Sequence, residues 1–377
     1  MAKTGDKGYV LEELLRAYFL RAGMYAVRGV PLQLDGDDLT DVDIWIYEQS
    51  NGSSRRRQIV DAKSKLKPKA IERVLWTKGL LELLQVDGAY VATTDSRPVI
   101  KDVAARLGIS VLDGADLKRM SESEKIIFPD RLSEEELDKA IKAIDKGRKN
   151  KEFQNGYQDL KAGLIDEFGS ATVNRSLDHF AAFTRSLLSS HPGSPTAEVA
   201  MRLVYIAASI VALTLDFSLA KVFFRSSEDR RKTISNIIRY GDEDEVAGLE
   251  KVRVAAALIE RYTPNGSAVS QSMLNSIRND LQGIPAEIIT DHVLTQMRGV
   301  SLFQLARSFE SEGFRAKPRG FDQLTLEGRS FIGILLDFAG LERSAFANSW
   351  NAGPQQPVEG SKHVEAGATG SLFENNY

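Results

Sequence analysis

Two short stretches alternate apolar and polar residues with the period of a strand. Asp41-Val42-Asp43-Ile44-Trp45-Ile46-Tyr47 is one, and Gln58-Ile59-Val60-Asp61-Ala62-Lys63 is the other. Both are rich in β-branched and aromatic residues, and Asn51-Gly52 lies in the polar segment between them, so they predict a β-hairpin. Side chains alternate between faces of a strand, which puts Asp41 and Asp43 with Trp45 and Tyr47, and Asp61 and Lys63 with Ile59. With the loop closing on Asn51-Gly52-Ser53, Asp43 stands opposite Asp61. A two-residue loop would put Asp43 opposite Val60 and on the wrong face, so the register decides whether the carboxylates meet.

The rest of the chain switches to helical spacing. Val10, Leu11, Leu14, Leu15, Tyr18, Phe19 and Ala22 form an i, i+3, i+4 stripe over 9–22, stopped by Gly23. Met24 to Leu34 reads as extended, interrupted at Gly29 and Pro31, and Asp35 to Asp38 as an acidic turn. A helix is expected over 69–84, then strand 89–93, helix 98–107 and strand 109–112. This order gives an α/β domain with a mixed central sheet flanked by helices. Trp76 reads as core or domain-contact filler. From Ser133 onward the pattern is helical nearly throughout, at about 133–150, 154–168, 172–190, 196–224, 229–239, 244–262, 268–281, 286–297, 301–311 and 327–340. The expected division is 1–120 for the α/β domain, 121–132 as linker, 133–350 as an all-α domain and 351–377 as a disordered tail. Within the helical part, 301–341 has some character of a winged helix.

Composition narrows the chemistry. Among 377 residues there is no cysteine, which excludes disulfides, thiolate metal sites and cysteine nucleophiles. The four histidines are scattered, so a histidine metal site is not expected. The apolar run Leu203–Leu215 falls short of the roughly 20 residues of a membrane span and reads as a buried helix. The start lacks an apolar signal core, so the expected location is cytoplasmic, with no membrane partner. The formal net charge is only -3, yet positive charge is concentrated locally. Arg55, Arg56, Arg57, Lys63, Lys65, Lys67, Lys69, Arg73 and Lys78 crowd one stretch, opposed only by Asp61 and Glu72. Apart from Lys63, these are candidate phosphate-backbone contacts.

Two facing carboxylates repel unless a cation lies between them or one takes a proton. Paired carboxylate oxygens suit Mg²⁺ or Mn²⁺. Lys63 points toward the same place, where an ammonium can hold or activate a water and neutralise a phosphoryl oxygen.

Asp43, the Asp61-Ala62-Lys63 triplet, the opening helix with Glu12 and Glu13, the basic helix and the closing strand–helix–strand together resemble the PD-(D/E)xK nucleases. The nearest branch is the Mrr-like one, and the resemblance covers about the first 120 residues. It implies a restriction-endonuclease-like fold and metal-dependent DNA cleavage. Asp43, Asp61 and the backbone carbonyl of Ala62 would hold the metal, Glu12 (Glu13 as fallback) would complete the shell or orient a metal water, and Lys63 would be a catalytic residue. The segment around Asp43 lacks the proline of the family name. Many members act in restriction, anti-phage defence or repair. The helical region would then serve target choice, homodimer formation or a protein partner. DNA is the expected substrate, with RNA left open. The alternative is a catalytically silent or effector-gated nucleic-acid-binding module.

Overall fold

The computed structural model describes residues 6–34, 37–63, 69–123, 126, 128–166, 168–296 and 301–350. The chain divides into two compact units. The first comprises Met1–Ser50 and Arg56–Glu134, and the second Asn51–Arg55 and Glu135–Asn351.

The first unit follows the order α1 (Asp6–Arg21), β1 (Tyr25–Leu34), β2 (Asp37–Gln49), β3 (Arg55–Lys63), α2 (Ala70–Leu84), β4 (Gly88–Thr93), α3 (Pro98–Arg106), β5 (Ile109–Leu112) and α4 (Gly114–Ser121). The strands form one mixed five-stranded sheet in sequence order. β1 is antiparallel to β2, whereas β3, β4 and β5 run parallel. Two successive parallel connections of the usual hand place α2 and α3 on one face. Val74, Val91, Ile100, Ala104 and Ile109 make the core there. On the other face Leu11, Leu15, Ile44, Ile46, Val60, Leu117 and Met120 pack between the sheet, α1 and α4.

Three expectations change. Asp37 and Asp38, read as part of an acidic turn, belong to β2, and β1 runs continuously through Gly29 and Pro31. Gly29 manages this with φ +55°, a conformation that costs glycine little. Ile126 and Phe128, in the stretch read as linker, pack into the α1–α4 core. Arg21 lies 4.0 Å over the Phe128 ring. Apolar side chains interrupting a polar segment explain this attachment.

The second unit is helical. Its elements are α5 (Glu134–Asp145), α6 (Glu152–Ala162), α7 (Ser170–Leu188), α8 (Pro195–Lys221), α9 (Ser227–Tyr240), α10 (Glu245–Gly248), α11 (Glu250–Tyr262), α12 (Gly266–Gln282), α13 (Ala286–Asp291), α14 (Leu302–Gly313), α15 (Leu326–Phe338) and α16 (Arg343–Ser349). By length and composition α8 is apolar enough to cross a membrane, yet 83% of its most apolar window is buried inside the protein. Every residue from Leu203 to Leu215 is buried, as expected for a central core helix. The 301–341 segment, read as having some character of a winged helix, holds α14 and α15 with no strand among its described residues. Its phenylalanines instead fill a helical core, Phe309 packing on Phe331 and Tyr205. The tail expected over 351–377 lies outside the described residues.

Candidate functional site

Asp61, Ala62 and Lys63 end β3, at the carboxyl edge of the three parallel strands, where open α/β sheets collect ligands. Asp61 pairs in register with Val91 of the α2–α3 core, which fixes its side chain on that face. It is 6% exposed. Its carboxylate is held by Arg73 from the first turn of α2, with Nε 2.7 Å from Oδ2 and Nη2 against Oδ1. The fork takes both oxygens, the strongest geometry available to a guanidinium and a carboxylate.

Asp43 comes from β2, the neighbour of β3 in the sheet. Its Oδ2 accepts the Ala62 backbone N–H at 2.7 Å and lies 3.9 Å from the Lys63 Nζ. Burial pushes the Asp43 carboxyl above its ordinary range. The Ala62 amide, Lys63 and Arg73 act against that shift, and Asp41 adds to it. In the β1–β2 register Arg28 faces Ile44 and Val30 faces Val42, so Asp43 stands across from Gly29. No side chain opposes it there.

Glu12 reaches the site from α1. Burial raises its carboxyl, and its electrostatic neighbours are Arg28, Asp43 and Lys63. Its direct partner is Arg28, at 2.9 Å from Nη2 to Oε2. The same guanidinium donates to Glu13 through Nη1 at 2.7 Å. Arg28 is 2% exposed, so Glu12 and Glu13 neutralise a buried cation between them. The fallback Glu13 also lies 3.6 Å from Arg16, which ties it into the scaffold. Arg28 is the residue that the sequence reading missed. Its signal was a charge inside the apolar run Tyr25–Val30, facing the same side as Ile44.

The structure therefore gathers Asp43, Asp61, Ala62 and Lys63, with Glu12 within electrostatic range. The donor chemistry fits a hard divalent cation, since only oxygen ligands are offered. Burial raises the Asp43 and Glu12 carboxyls, and a cation beside them would act against that shift. The fit is conditional at Asp61, whose oxygens are already taken by Arg73. Among the described residues no three acidic or histidine side chains converge into a ready-made cage.

The basic residues divide. Arg55 was expected to contact nucleic acid, but its side chain is 6% exposed and Nη2 donates to Asp216 Oδ1 at 2.8 Å within the second unit. It is structural, because its own guanidinium is buried together with the carboxylate it forks onto. Arg57 is half-buried and donates to the Gln85 carbonyl at 2.8 Å. Arg56, Lys69 and Lys78 remain at or near the surface, Lys69 beside Glu72 and Lys78 beside Glu82. Lys65 and Lys67 lie outside the described residues. Trp76, read as filler, is 49% exposed, with the Arg73 guanidinium 5.9 Å from its ring. The buried stripe of α2 is carried by Ala70, Val74, Thr77 and Leu80, which leaves Trp76 on the outer side.

Comparison of the chain with protein-family models, with curated proteins and with solved structures finds no match.

Proposed function

We propose that the first unit is a divalent-cation-dependent phosphodiesterase acting on DNA. The observation that carries the reading is the meeting of Asp43 with Ala62 and Lys63 at the end of β3, beside the buried Asp61. Asp43, Asp61 and the Ala62 carbonyl would hold Mg²⁺ or Mn²⁺, with Glu12 bordering them. The bound cation supplies Lewis-acid polarisation of a phosphoryl oxygen and a more acidic water. Lys63 is 36% exposed, close enough to Asp43 to be aimed and open enough to meet a substrate. Its ammonium orients the attacking water and offsets charge building on the phosphorane oxygens. Arg56, Lys69 and Lys78 supply sequence-independent contacts to the phosphate backbone. The exposed face of Trp76 offers a surface on which an unstacked base can lie. The helical unit serves target choice, self-association or partner binding, and a role in restriction, anti-phage defence or repair follows from the company that the resemblance provides.

Arg73 favours a second reading, a nucleic-acid-binding module whose catalytic site is silent or gated, because it already neutralises Asp61. One experiment separates the two. Supercoiled, linear and single-stranded DNA are incubated with Mg²⁺ or Mn²⁺ and the wild type, Asp61→Ala or Lys63→Ala protein. Cation-dependent cutting lost in both variants supports the nuclease. DNA binding without cutting in any condition supports the module. Cutting that survives Asp61→Ala refutes the assignment of the site.

A further inference from the structure

We propose that Arg73 is the resident counter-ion of Asp61 and must leave that carboxylate before Asp61 can ligate a divalent cation, so that Arg73 sets the cation affinity of the site. The inference rests on the nuclease reading and concerns how its site is regulated.

Three basic side chains touch the candidate ligands, and they differ in what they can do. Arg28 bonds Glu12 directly but is 2% exposed and shared with Glu13, so it has no path out. Lys63 stands off Asp43 at 3.9 Å, beyond hydrogen-bond distance, and so does not occupy that carboxylate. Arg73 alone of the three combines direct bonding with freedom to move. Its side chain is 27% exposed, while the Asp61 side chain is 6% exposed and cannot turn to water in its place. With both Asp61 oxygens engaged, a cation and the guanidinium compete for the same lone pairs. Competition of this kind lowers apparent affinity without altering the ligand set.

Arg73 also has somewhere to go. It sits one turn before Trp76 on α2, and the indole ring is half-exposed and 5.9 Å away. A guanidinium released from Asp61 is retained near the mouth of the site by that ring. There its planar fork matches the two non-bridging oxygens of a phosphodiester. The substrate class that this favours is a nucleic-acid backbone, which would draw Arg73 away from Asp61 as it arrives and so couple substrate binding to cation binding.

The test is Mn²⁺ titration calorimetry on the full chain without nucleic acid, comparing wild type, Arg73→Gln, Arg73→Lys and Asp61→Asn. Arg73→Gln should bind Mn²⁺ about tenfold more tightly than wild type, the size expected on removing one charge-assisted competitor. Asp61→Asn should lose binding. In the wild type, Mn²⁺ should change the Trp76 fluorescence with the same midpoint, a signal absent from Trp76→Phe and from Arg73→Gln. Equal affinity in wild type and Arg73→Gln, with Asp61→Asn inactive in binding, overturns the role of Arg73 and leaves the nuclease reading standing. No binding by any of the proteins at millimolar Mn²⁺ overturns both. If Arg73→Gln does not fold, Arg73→Lys decides. It keeps the charge but not the fork, and affinity unchanged from wild type overturns the proposal.

Discussion

The backbone amide of Ala62 donates to the Asp43 carboxylate at 2.7 Å, so one strand of the sheet orients a side chain of the next. Even with that bond, burial keeps the Asp43 carboxyl above its ordinary value of 3.8. The folded protein therefore binds this proton more tightly than the unfolded chain does. Stability from this group is highest below the ordinary carboxylate range and falls as pH climbs through the raised value. Asp43→Asn keeps an acceptor for the Ala62 amide and removes the ionisation. It should be more stable than wild type at neutral pH by about 0.5–2 kcal/mol, with the difference vanishing in acid. Urea unfolding at two pH values measures this, and equal stability at both would show that Asp43 carries no such cost. The same variant should be inactive in DNA cleavage.

Arg28 and Arg73 both pair with carboxylates, yet their removal should differ in cost. Arg28→Ala strands Glu12 and Glu13 around a buried cavity and should cost about 3–5 kcal/mol, the range for breaking a buried ion pair. Arg73 is partly exposed, so water can reach its side of the pair, and Arg73→Ala should cost nearer 1–3 kcal/mol. Denaturant midpoints compare them directly. An Arg28→Ala protein as stable as wild type would mean that the α1–β1 ion pairs contribute nothing net.

The basic residues should separate by assay. Single alanine substitutions at Arg56, Lys69 or Lys78 should weaken DNA binding evenly across sequences and reduce the salt-dependence slope by about one each. Arg55→Ala should instead leave the slope unchanged and lower the thermal stability, since its fork on Asp216 is internal. Fluorescence anisotropy over a salt series, beside thermal melts, tests both. A slope change in Arg55→Ala would return that residue to the nucleic-acid surface.

In the helical unit, His179 bonds Asp159 with Nε2 2.6 Å from Oδ2, and this bond is the main reason the Asp159 carboxyl titrates below its ordinary range. Arg175, 3.8 Å away, acts in the same direction. A depressed carboxyl contributes stability above its unfolded value, and loses it as pH falls through the folded one. His179→Ala should therefore move acid unfolding of this unit to higher pH. Circular dichroism at 222 nm during acid titration reads it out, and an unchanged acid midpoint would mean that the pair is energetically idle.

Much of the first unit was legible because its signals are local. The β2–β3 pairing follows from alternation around Asn51-Gly52, and the parallel strands and crossover helices follow from their order. Asp43, Asp61 and Lys63 could be placed together because a strand fixes side-chain direction every second residue. Boundaries were poorer. The short helix α4 and the last helix α16 went unread, because each spans only about two turns, too short for a periodic pattern to stand out from the flanking turns. The attachment of Ile126 and Phe128 depended on a core that no local pattern describes.

What the sequence determined by itself is the alternation, the turn and the acidic and basic residues that these bring to one strand end. Such information lies within a few residues along the chain, where strand and helix periodicity act. What only the tertiary structure decided is which charges answer each other. Arg73 reaches Asp61 across a crossover, Arg28 reaches Glu12 across a helix–sheet layer, and Arg55 is drawn inward to Asp216. An arginine has the same composition and charge in each place. Its role is set by the burial of the carboxylate that packing brings against it, and that is a property of the fold rather than of any segment.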